Sequence, residues 1–291
     1  MLRMIRSIKR IDKMKRKSHI LPFDQDWLNR ASSRKRGNKW VDDVMAEINE
    51  SGGIYLSTLR LWFSQFPISA KQKRHLKQAL ESFNNTDHLG AVNELTWWKF
   101  TNSFGWSSSP IDSGKEKRPD FHVSSPSEFF CEVTTLNLSA KEQELLEAGN
   151  GVKLDHGVTL HRALKKVVEE KAGQIMYGAL NKSPSVLVLF DYTFWSGFGT
   201  LFCKALADFL LGVGIGFMNL PPELAVIVYV ERKVLEGRMA ISRQRSAVYH
   251  NPNALFRLPE TVFQMMRQYS LELKEELPTL NQANSEYWFF F

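Results

Sequence analysis

Two acidic side chains lie close together in the sequence, each beside a short run of apolar and β-branched residues. Asp120 precedes Phe121-His122-Val123, and Glu132 lies within residues 129–135. The intervening segment 124–128, Ser-Ser-Pro-Ser-Glu, is typical of a turn between two strands. Neighbouring strands would bring both carboxylates to one divalent cation, because Mg²⁺ is usually held by one or two carboxylates together with substrate phosphate. The alternative interpretation is two unrelated acids on the surface of a hairpin.

The chain is long enough to bury a substantial core around such a pair. Its 291 residues are 43% hydrophobic and 12% aromatic, which excludes a disordered chain and predicts one large domain or two modest ones. Two cysteines, Cys131 and Cys203, cannot build a disulfide framework, so we expect a cytoplasmic protein. We expect no secretory signal, because no uninterrupted apolar core follows the N-terminal charges. We expect no membrane span, since Lys204 and Asp208 interrupt the apolar residues 201–217.

Positive charge is concentrated at the N-terminus, in an arm over residues 1–36. This arm contains twelve Lys and Arg against three Asp, a net charge of +9, whereas the whole chain carries +7. A basic arm on a near-neutral body favours the phosphate backbone of nucleic acid as partner, with DNA expected over RNA. The predicted nucleic-acid contacts are Arg10, Lys13, Lys15, Arg16, Lys17, Arg34, Lys35 and Arg36.

Other interpretations of the arm stay open. Leu2, Ile5, Ile8, Ile11 and Met14 recur at near-helical spacing, which is compatible with an amphipathic helix on an acidic membrane surface. The first eleven residues are also rich in Arg and poor in acids, as organelle transit peptides are. A solvated tail or a contact for a partner protein would have the same composition.

Apolar periodicity predicts a helical region over residues 37–86. Its three segments are residues 40–48, 54–66 and 69–83. Ser51-Gly52-Gly53 ends the first segment and Pro67 ends the second. The aromatic residues Trp62, Phe63 and Phe66 are expected in the core rather than on a base-stacking surface.

Residues 87–291 are predicted to form the main α/β domain with a C-terminal extension. Glu94 is expected on a short helix, followed by a strand over residues 98–104 and a polar loop over 105–115. The remaining predictions are helices over 140–147, 158–180, 201–217 and 261–273, buried strands over 185–192 and 224–230, and irregular structure over 237–261. The aromatic residues 287–291 are expected to dock on the body of the protein or on a second subunit.

This order of elements, together with Pro119-Asp120 and Glu132-Val133-Thr134, resembles the PD-(D/E)xK nuclease superfamily, which has the restriction-endonuclease-like fold. The core of that family is a helix, three strands, a helix and a strand, arranged as a mixed central sheet flanked by helices. The resemblance covers about residues 94–192. It implies that Asp120 and Glu132 bind Mg²⁺ or Mn²⁺, with Glu94 as a further ligand, and that the protein hydrolyses phosphodiester bonds in nucleic acid.

One position departs from the family pattern. The family has Lys two residues after the motif Glu, where this chain has Thr134. Strand alternation places Glu132 and Thr134 on one face, and a Thr can hydrogen-bond water but carries no positive charge. Some members of the superfamily carry the missing basic group on the following helix, which residues 170–174 resemble. By this resemblance Lys171 supplies the charge, and Gln174, three residues further on, is a polar contact of the site.

Two functions of a different class are compatible with the same residues. The absence of the motif Lys would also fit a nuclease-like module without catalysis that binds nucleic acid or a partner protein. A structural or assembly protein could use the basic arm and the aromatic tail. For Lys171 itself, the alternative interpretation is an ordinary surface lysine.

Overall fold

A computed structural model describes residues 21–34, 41–46, 53–112, 117–137, 139–147, 156–192, 199–211, 220–277 and 285–290. The chain divides into two compact units, Met1–Leu95 and Thr96–Phe291. Seven of the eight predicted nucleic-acid contacts, namely Arg10, Lys13, Lys15, Arg16, Lys17, Lys35 and Arg36, lie outside the described residues.

The first unit is helical where it is described. Its helices are α1 (Gln25–Ser32), α2 (residues 41–46), α3 (Ile54–Gln65), α4 (Ala70–Leu80) and the first half of α5 (Asn85–Ser103). Asp24 caps α1, and Ser69 and Gln72 form a reciprocal capping box at the start of α4. Trp62, Phe63 and Phe66 are all buried, so their prediction as core residues is confirmed.

The second unit is built on one mixed sheet. Its strands are β1 (Ser107–Pro110), β2 (Phe121–Ser125), β3 (Phe129–Leu136), β4 (Ser185–Asp191), β5 (Leu224–Leu235), β6 (Arg238–Ser242), β7 (Ala247–His250), β8 (Arg267–Ser270), β9 (Glu275–Leu277) and β10 (Tyr287–Phe289). The order across the sheet is β1-β2-β3-β4-β5-β7-β8-β9, with β6 paired to β5 and β10 to β6. The general α/β class with a mixed multistranded sheet is thus as expected from the sequence.

Strands β1, β2 and β3 form an antiparallel meander, and the chain then crosses over to β4, which runs parallel to β3. The crossover contains α6 (Ala140–Glu147), α7 (His156–Lys165), a π-helical turn (Lys166–Glu170) and α8 (Ala172–Leu180). Strand β4 is buried along its whole length, which confirms its prediction as a central strand. Its core side chains pack with apolar residues of α7, α8 and α9 (Gly199–Leu210).

Two sequence predictions near the start of this unit are wrong. Residues 98–104 are not a strand; through Ser103 they continue α5, which ends before Gly105 in the left-handed conformation (φ 76°). The dense aromatic residues there have the composition of a strand, but neither Gly nor Pro separates them from Val92 and Leu95. The first strand is instead Ser107–Pro110, which was predicted as loop because Ser-Ser-Ser-Pro has no apolar alternation.

Further corrections concern the crossover and the C-terminal half. The predicted helix 158–180 begins at His156 and is interrupted by the π-helical turn, and the predicted strand 224–230 extends to Leu235. Residues 237–261 contain β6 and β7 and are not irregular throughout, while residues 261–273 contain a 3₁₀ turn and β8 in place of a helix. Val262, Phe263 and Met266 have helical spacing, but they fill the core from a turn.

The aromatic C-terminal segment docks on the second unit. Strand β10 pairs with β6, and the rings of Trp288 and Phe290 lie with their centroids 5.6 and 5.9 Å from that of Phe100. Both are buried, whereas Phe289 on the opposite face is 44% exposed. Docking on the body of the protein is therefore confirmed for residues 287–290.

Helix α8 approaches the start of β4 through Gly178. A Cβ atom at this position would lie 2.1 Å from Ser185 Oγ and 3.0 Å from the backbone oxygen of Ser183. The Ser185 hydroxyl is itself fixed, since it donates to the Ile175 carbonyl at 2.6 Å. We expect Gly178→Ala to lower the free energy of unfolding by about 1–3 kcal/mol in urea denaturation. The matched control is Gly90→Ala in α5, where a Cβ meets nothing within 4 Å and should be neutral or stabilising. Equal effects at the two positions would contradict the tight packing.

Candidate active site

The structure brings Asp120 and Glu132 together across β2 and β3. The two strands are antiparallel with Phe121 opposite Cys131, and continuing this register by one residue places Asp120 opposite Glu132. Asp120 is held in place because its Oδ2 accepts a hydrogen bond of 2.7 Å from the backbone N–H of Val133. Two like charges directly opposite each other in a sheet destabilise it unless a proton or a cation is shared between them.

Lys171 joins this pair from the crossover. Its Nζ donates to Glu132 Oε1 at 2.5 Å, although the two residues are 39 positions apart in the chain. Lys171 lies at the junction of the π-helical turn and α8, with non-helical backbone angles (φ −107°, ψ 7°). A π-helical turn changes the phase of the helix that follows it, and such turns are frequent at functional sites.

The pKa values of all three charged side chains are shifted in this site. Burial raises the pKa of Glu132 to about 8, assisted by the charge of Asp120 and opposed by that of Lys171. Burial also raises the pKa of Asp120 to about 6, against the hydrogen bond from Val133 and the charge of Lys171. For Lys171 burial acts to lower the pKa, but the charge of Glu132 outweighs it and the pKa is raised. At neutral pH the two carboxyl groups therefore share a proton as a pair, which lowers their mutual repulsion.

These pKa values predict how stability changes with pH in the absence of metal. A carboxyl whose folded pKa is about 8, against an ordinary value of 4.5, stabilises the folded state below pH 4.5, and this contribution is lost as the pH rises toward 8. The wild type should lose on the order of 2–4 kcal/mol of unfolding free energy between pH 5 and 8 relative to Glu132→Gln. Denaturant titrations in EDTA measure this difference. Parallel pH profiles for the two proteins would contradict the raised pKa.

Thr134 lies two residues beyond Glu132 in β3 and is 7% exposed. It occupies the position where the resemblance expects a Lys, so the ammonium group in contact with the motif Glu comes from the crossover instead. The role of Lys171 as charge donor stays a prediction.

Among the described residues, Glu132 Oε2 is buried and has no hydrogen-bond partner. The same holds for Gln174 Oε1, on the first turn of α8. Buried polar atoms are nearly always paired, and an unpaired carboxylate oxygen is especially costly. Hard divalent cations prefer carboxylate and amide oxygens, so the donor set around Asp120 and Glu132 suits Mg²⁺ or Mn²⁺.

The third expected carboxylate is that of Glu94, which lies half-buried on α5. In the part of the chain that the structure describes, no group of three or more His, Cys, Asp or Glu side chains is arranged to hold a metal ion. A role of Glu94 as a metal ligand stays a prediction. Of the predicted nucleic-acid contacts, Arg34 is described; it is exposed, and its guanidinium carbon lies 4.3 Å from the centre of the Phe83 ring.

Sequence reasoning missed Lys117, which leads into Pro119-Asp120. A Cβ atom added to Gly173 would lie 2.9 Å from Lys117 Cδ, so the aliphatic stem of Lys117 runs over the start of α8 close to Lys171 and Gln174. Gly173 is what permits this approach. The signal available in the sequence was only a Lys three residues before the motif Asp, which is not informative by itself.

A second buried polar cluster, also missed, lies where β4 ends beside the middle of β5. Asp191 and Glu231 are register partners there, and both are buried. The hydroxyl of Tyr229 donates to Asp191, while Lys233 and Arg245 each lie 3.3 Å from Glu231 Oε1. The cluster is internally satisfied, which favours a structural role. Its sequence signal was an acidic residue near the end of each apolar run.

Comparisons with family models, with curated proteins and with solved structures found no match to this chain. Among the described helices, none combines the length and the apolar character needed to cross a membrane. The chemistry of the site is therefore inferred from the geometry of its own residues.

Proposed function

We propose that the protein is a metal-dependent nuclease that hydrolyses phosphodiester bonds, with DNA the favoured substrate. The observation that carries the proposal is the contact of Lys171 with Glu132. Glu132 lies opposite Asp120 on the neighbouring strand. Two carboxylates that can hold a metal ion and one ammonium group suit metal-dependent phosphodiester hydrolysis, because together they would neutralise the phosphate and position a metal-bound water. Lys171 reaches the buried Glu132 from 39 positions away in the chain, a contact that two unrelated surface acids do not require.

The topology supports the same proposal. Helix α5, the antiparallel β1-β2-β3 meander, the crossover helices and the parallel β4 follow one another in the order of the restriction-endonuclease-like core. Asp120 immediately precedes the second strand and Glu132 lies in the third, as in the motif of that family. A fold of this kind is compatible with the function but does not specify it, so the proposal depends on the side chains of the site.

Each residue of the site then has a distinct task. Asp120 and Glu132 would hold Mg²⁺ or Mn²⁺, and the pair would release its shared proton on binding the ion. When bound, the ion supplies Lewis acidity toward the phosphate and a water of lowered pKa. Lys171 stabilises negative charge that develops on the phosphate, an electrostatic role that Thr134 cannot fill. Thr134 is placed on the same strand face and can hydrogen-bond a water.

The proposal is tested by incubating the purified protein with labelled single- and double-stranded DNA and RNA, in Mg²⁺, in Mn²⁺ and in EDTA. Cleavage of at least one substrate that requires the metal is the expected result. Asp120→Asn should abolish this cleavage, so that only the background rate seen in EDTA remains. Metal-dependent cleavage that is equally fast in wild type and Asp120→Asn would show that a different site, or a contaminant, is responsible.

A binding module without catalysis is the second candidate. It is favoured by the substitution of Thr134 for the motif Lys and by the fact that the described residues form a carboxylate pair and no three-ligand group. On this proposal the wild type binds nucleic acid or a partner protein and is inert with every metal and substrate. An active wild type whose Lys171→Ala variant binds but does not cleave would exclude it.

A further inference from the structure

Helices α3 and α4 lie in a segment whose charged side chains all have one sign. Residues 51–80 contain five Lys or Arg and no Asp or Glu, although the whole chain has 31 acidic residues against 38 Lys and Arg. One of the five is Arg60 on α3, and the other four are Lys71, Lys73, Arg74 and Lys77 on α4. A surface built from this segment attracts negatively charged partners.

Two of the four basic side chains of α4 hold it against its neighbours. Lys77 Nζ lies 2.7 Å from Asp24 Oδ2 and 3.1 Å from Glu81 Oε1. Lys73 Nζ donates to the carbonyl of Ser64 at 3.2 Å, which ties the start of α4 to the end of α3. This face of α4 therefore has its partners within the first unit and is not available to a ligand.

The C-terminal end of α4 is held in place as well. His88 on α5 donates from Nδ1 to the carbonyl of Leu80 at 2.7 Å, and its Nε2 lies 3.1 Å from the hydroxyl of Tyr55 on α3. Leu76 and Leu80 of α4 are both buried. Because apolar packing and hydrogen bonds fix the helix, its outer face is presented to a partner without a cost of ordering.

The outer face of α4 is exposed and polar. Lys71, Arg74, His75 and Gln78 are all exposed, and their spacing of three and four residues places them on one face of the helix. Among the described residues, no carboxylate forms an ion pair with Lys71 or Arg74. Within the part of the chain that is described, their positive charges are thus open to an external partner.

We propose that this outer face of α4 binds the major groove of double-stranded DNA. The major groove admits an α-helix, and Arg or Lys pairs there with guanine while Gln pairs with adenine. A helix, a four-residue turn over residues 66–69 and a second helix form the chain arrangement with which helix-turn-helix proteins place their second helix in that groove. Binding by α4 is independent of the carboxylate pair and does not require that the protein cleave the DNA.

Other negatively charged partners match this face less well. The major groove of an RNA duplex is deep and narrow, so that side chains cannot read it. A helix that lies on a membrane buries an apolar face in the lipid, whereas the large apolar side chains of α4, Leu76 and Leu80, are buried in the protein. Duplex DNA is therefore the partner that agrees with both the charge and the shape of this face.

The test measures binding by fluorescence anisotropy to a labelled DNA duplex of random sequence, to the same DNA as a single strand and to an RNA duplex. All titrations contain EDTA, which keeps the result separate from any metal-dependent cleavage by the carboxylate pair. Wild type is compared with Arg74→Gln and Lys71→Gln on the outer face of α4. The matched control is Lys182→Gln, which removes an exposed lysine from the second unit. All three variants should fold, since each altered side chain is exposed, and circular dichroism and thermal unfolding check this.

We expect Arg74→Gln to weaken binding to the DNA duplex about fivefold or more and Lys71→Gln to weaken it about threefold, while Lys182→Gln changes it less than about twofold. The losses should be smaller on the single strand and on the RNA duplex, because neither offers a major groove that a helix can enter. Methylation of guanine N7 in the DNA duplex with dimethyl sulfate should also weaken wild-type binding, since that atom lies in the major groove.

Several outcomes would overturn the proposal. One is a loss in Arg74→Gln and Lys71→Gln that is no larger than in Lys182→Gln. Others are equal losses on all three nucleic acids, unchanged binding to the methylated duplex, or no binding of the DNA duplex by wild type. Because no metal is present, none of these outcomes depends on whether the carboxylate pair catalyses cleavage.

Discussion

Glu132→Gln is expected to reduce metal-dependent cleavage about a thousandfold or more. The substitution preserves shape but replaces an anionic oxygen ligand with a neutral amide. Several kcal/mol less stabilisation of the charged transition state corresponds to a decrease in rate of this size. Single-turnover cleavage of the best substrate, at saturating Mg²⁺ or Mn²⁺, measures the effect.

The loss cannot be attributed to unfolding, since glutamine at this buried position cannot lose a proton and should keep the fold stable at pH 8. Glu128→Gln is the matched control, because it removes a carboxylate from the same hairpin where it is 69% exposed and pairs with His122. We expect the control to retain wild-type activity within about twofold. Cleavage by Glu132→Gln within threefold of the wild type would remove Glu132 from the mechanism.

Lys171→Met is expected to lower the cleavage rate about 100- to 1,000-fold while nucleic-acid binding persists. One positioned donor to developing negative charge is typically worth this much in an active site. The substitution also leaves Glu132 without its ion pair, but Glu132 can remain protonated, so the fold should survive. The matched control is Lys165→Met in α7, whose ammonium is exposed and pairs with Glu169 at 3.7 Å.

A second variant separates the charge of Lys171 from its position. Thr134→Lys introduces an ammonium group on the face of β3 that carries Glu132, at the position that the resemblance assigns to Lys. The double variant with Lys171→Met should cleave at least about tenfold faster than Lys171→Met alone, if the site needs an ammonium group there and either element can supply it. A double variant no better than Lys171→Met, with the fold intact, would mean that Lys171 has a task other than supplying charge.

The pairing of Asp120 with Glu132 could be predicted because only local information was needed. The turn residues between two short apolar runs specify a hairpin, and a hairpin fixes which residues face each other. Lys171 could be predicted only with the help of the resemblance, since apolar periodicity shows which face of α7 and α8 is buried but not which lysine reaches a distant carboxylate. The π-helical turn before it leaves no clear mark in the sequence.

The parts that could not be predicted are those decided by tertiary packing. The aromatic residues of α5 have the composition of a strand, and the core around them determines that they are helical. Strand β8 has a helical pattern of apolar residues on its N-terminal side, and the pairing with β7 overrides it. The pairing of β10 with β6 joins residues more than forty positions apart, which no local pattern in the sequence indicates.

The most direct test is a crystal of the protein grown or soaked with Mn²⁺ and examined by anomalous diffraction. We expect a peak in contact with the carboxyl groups of both Asp120 and Glu132, absent from crystals of Glu132→Gln treated in the same way. Saturating Mn²⁺ that leaves this position empty, with Lys171 still bound to Glu132, would contradict the claim that the pair holds a catalytic cation.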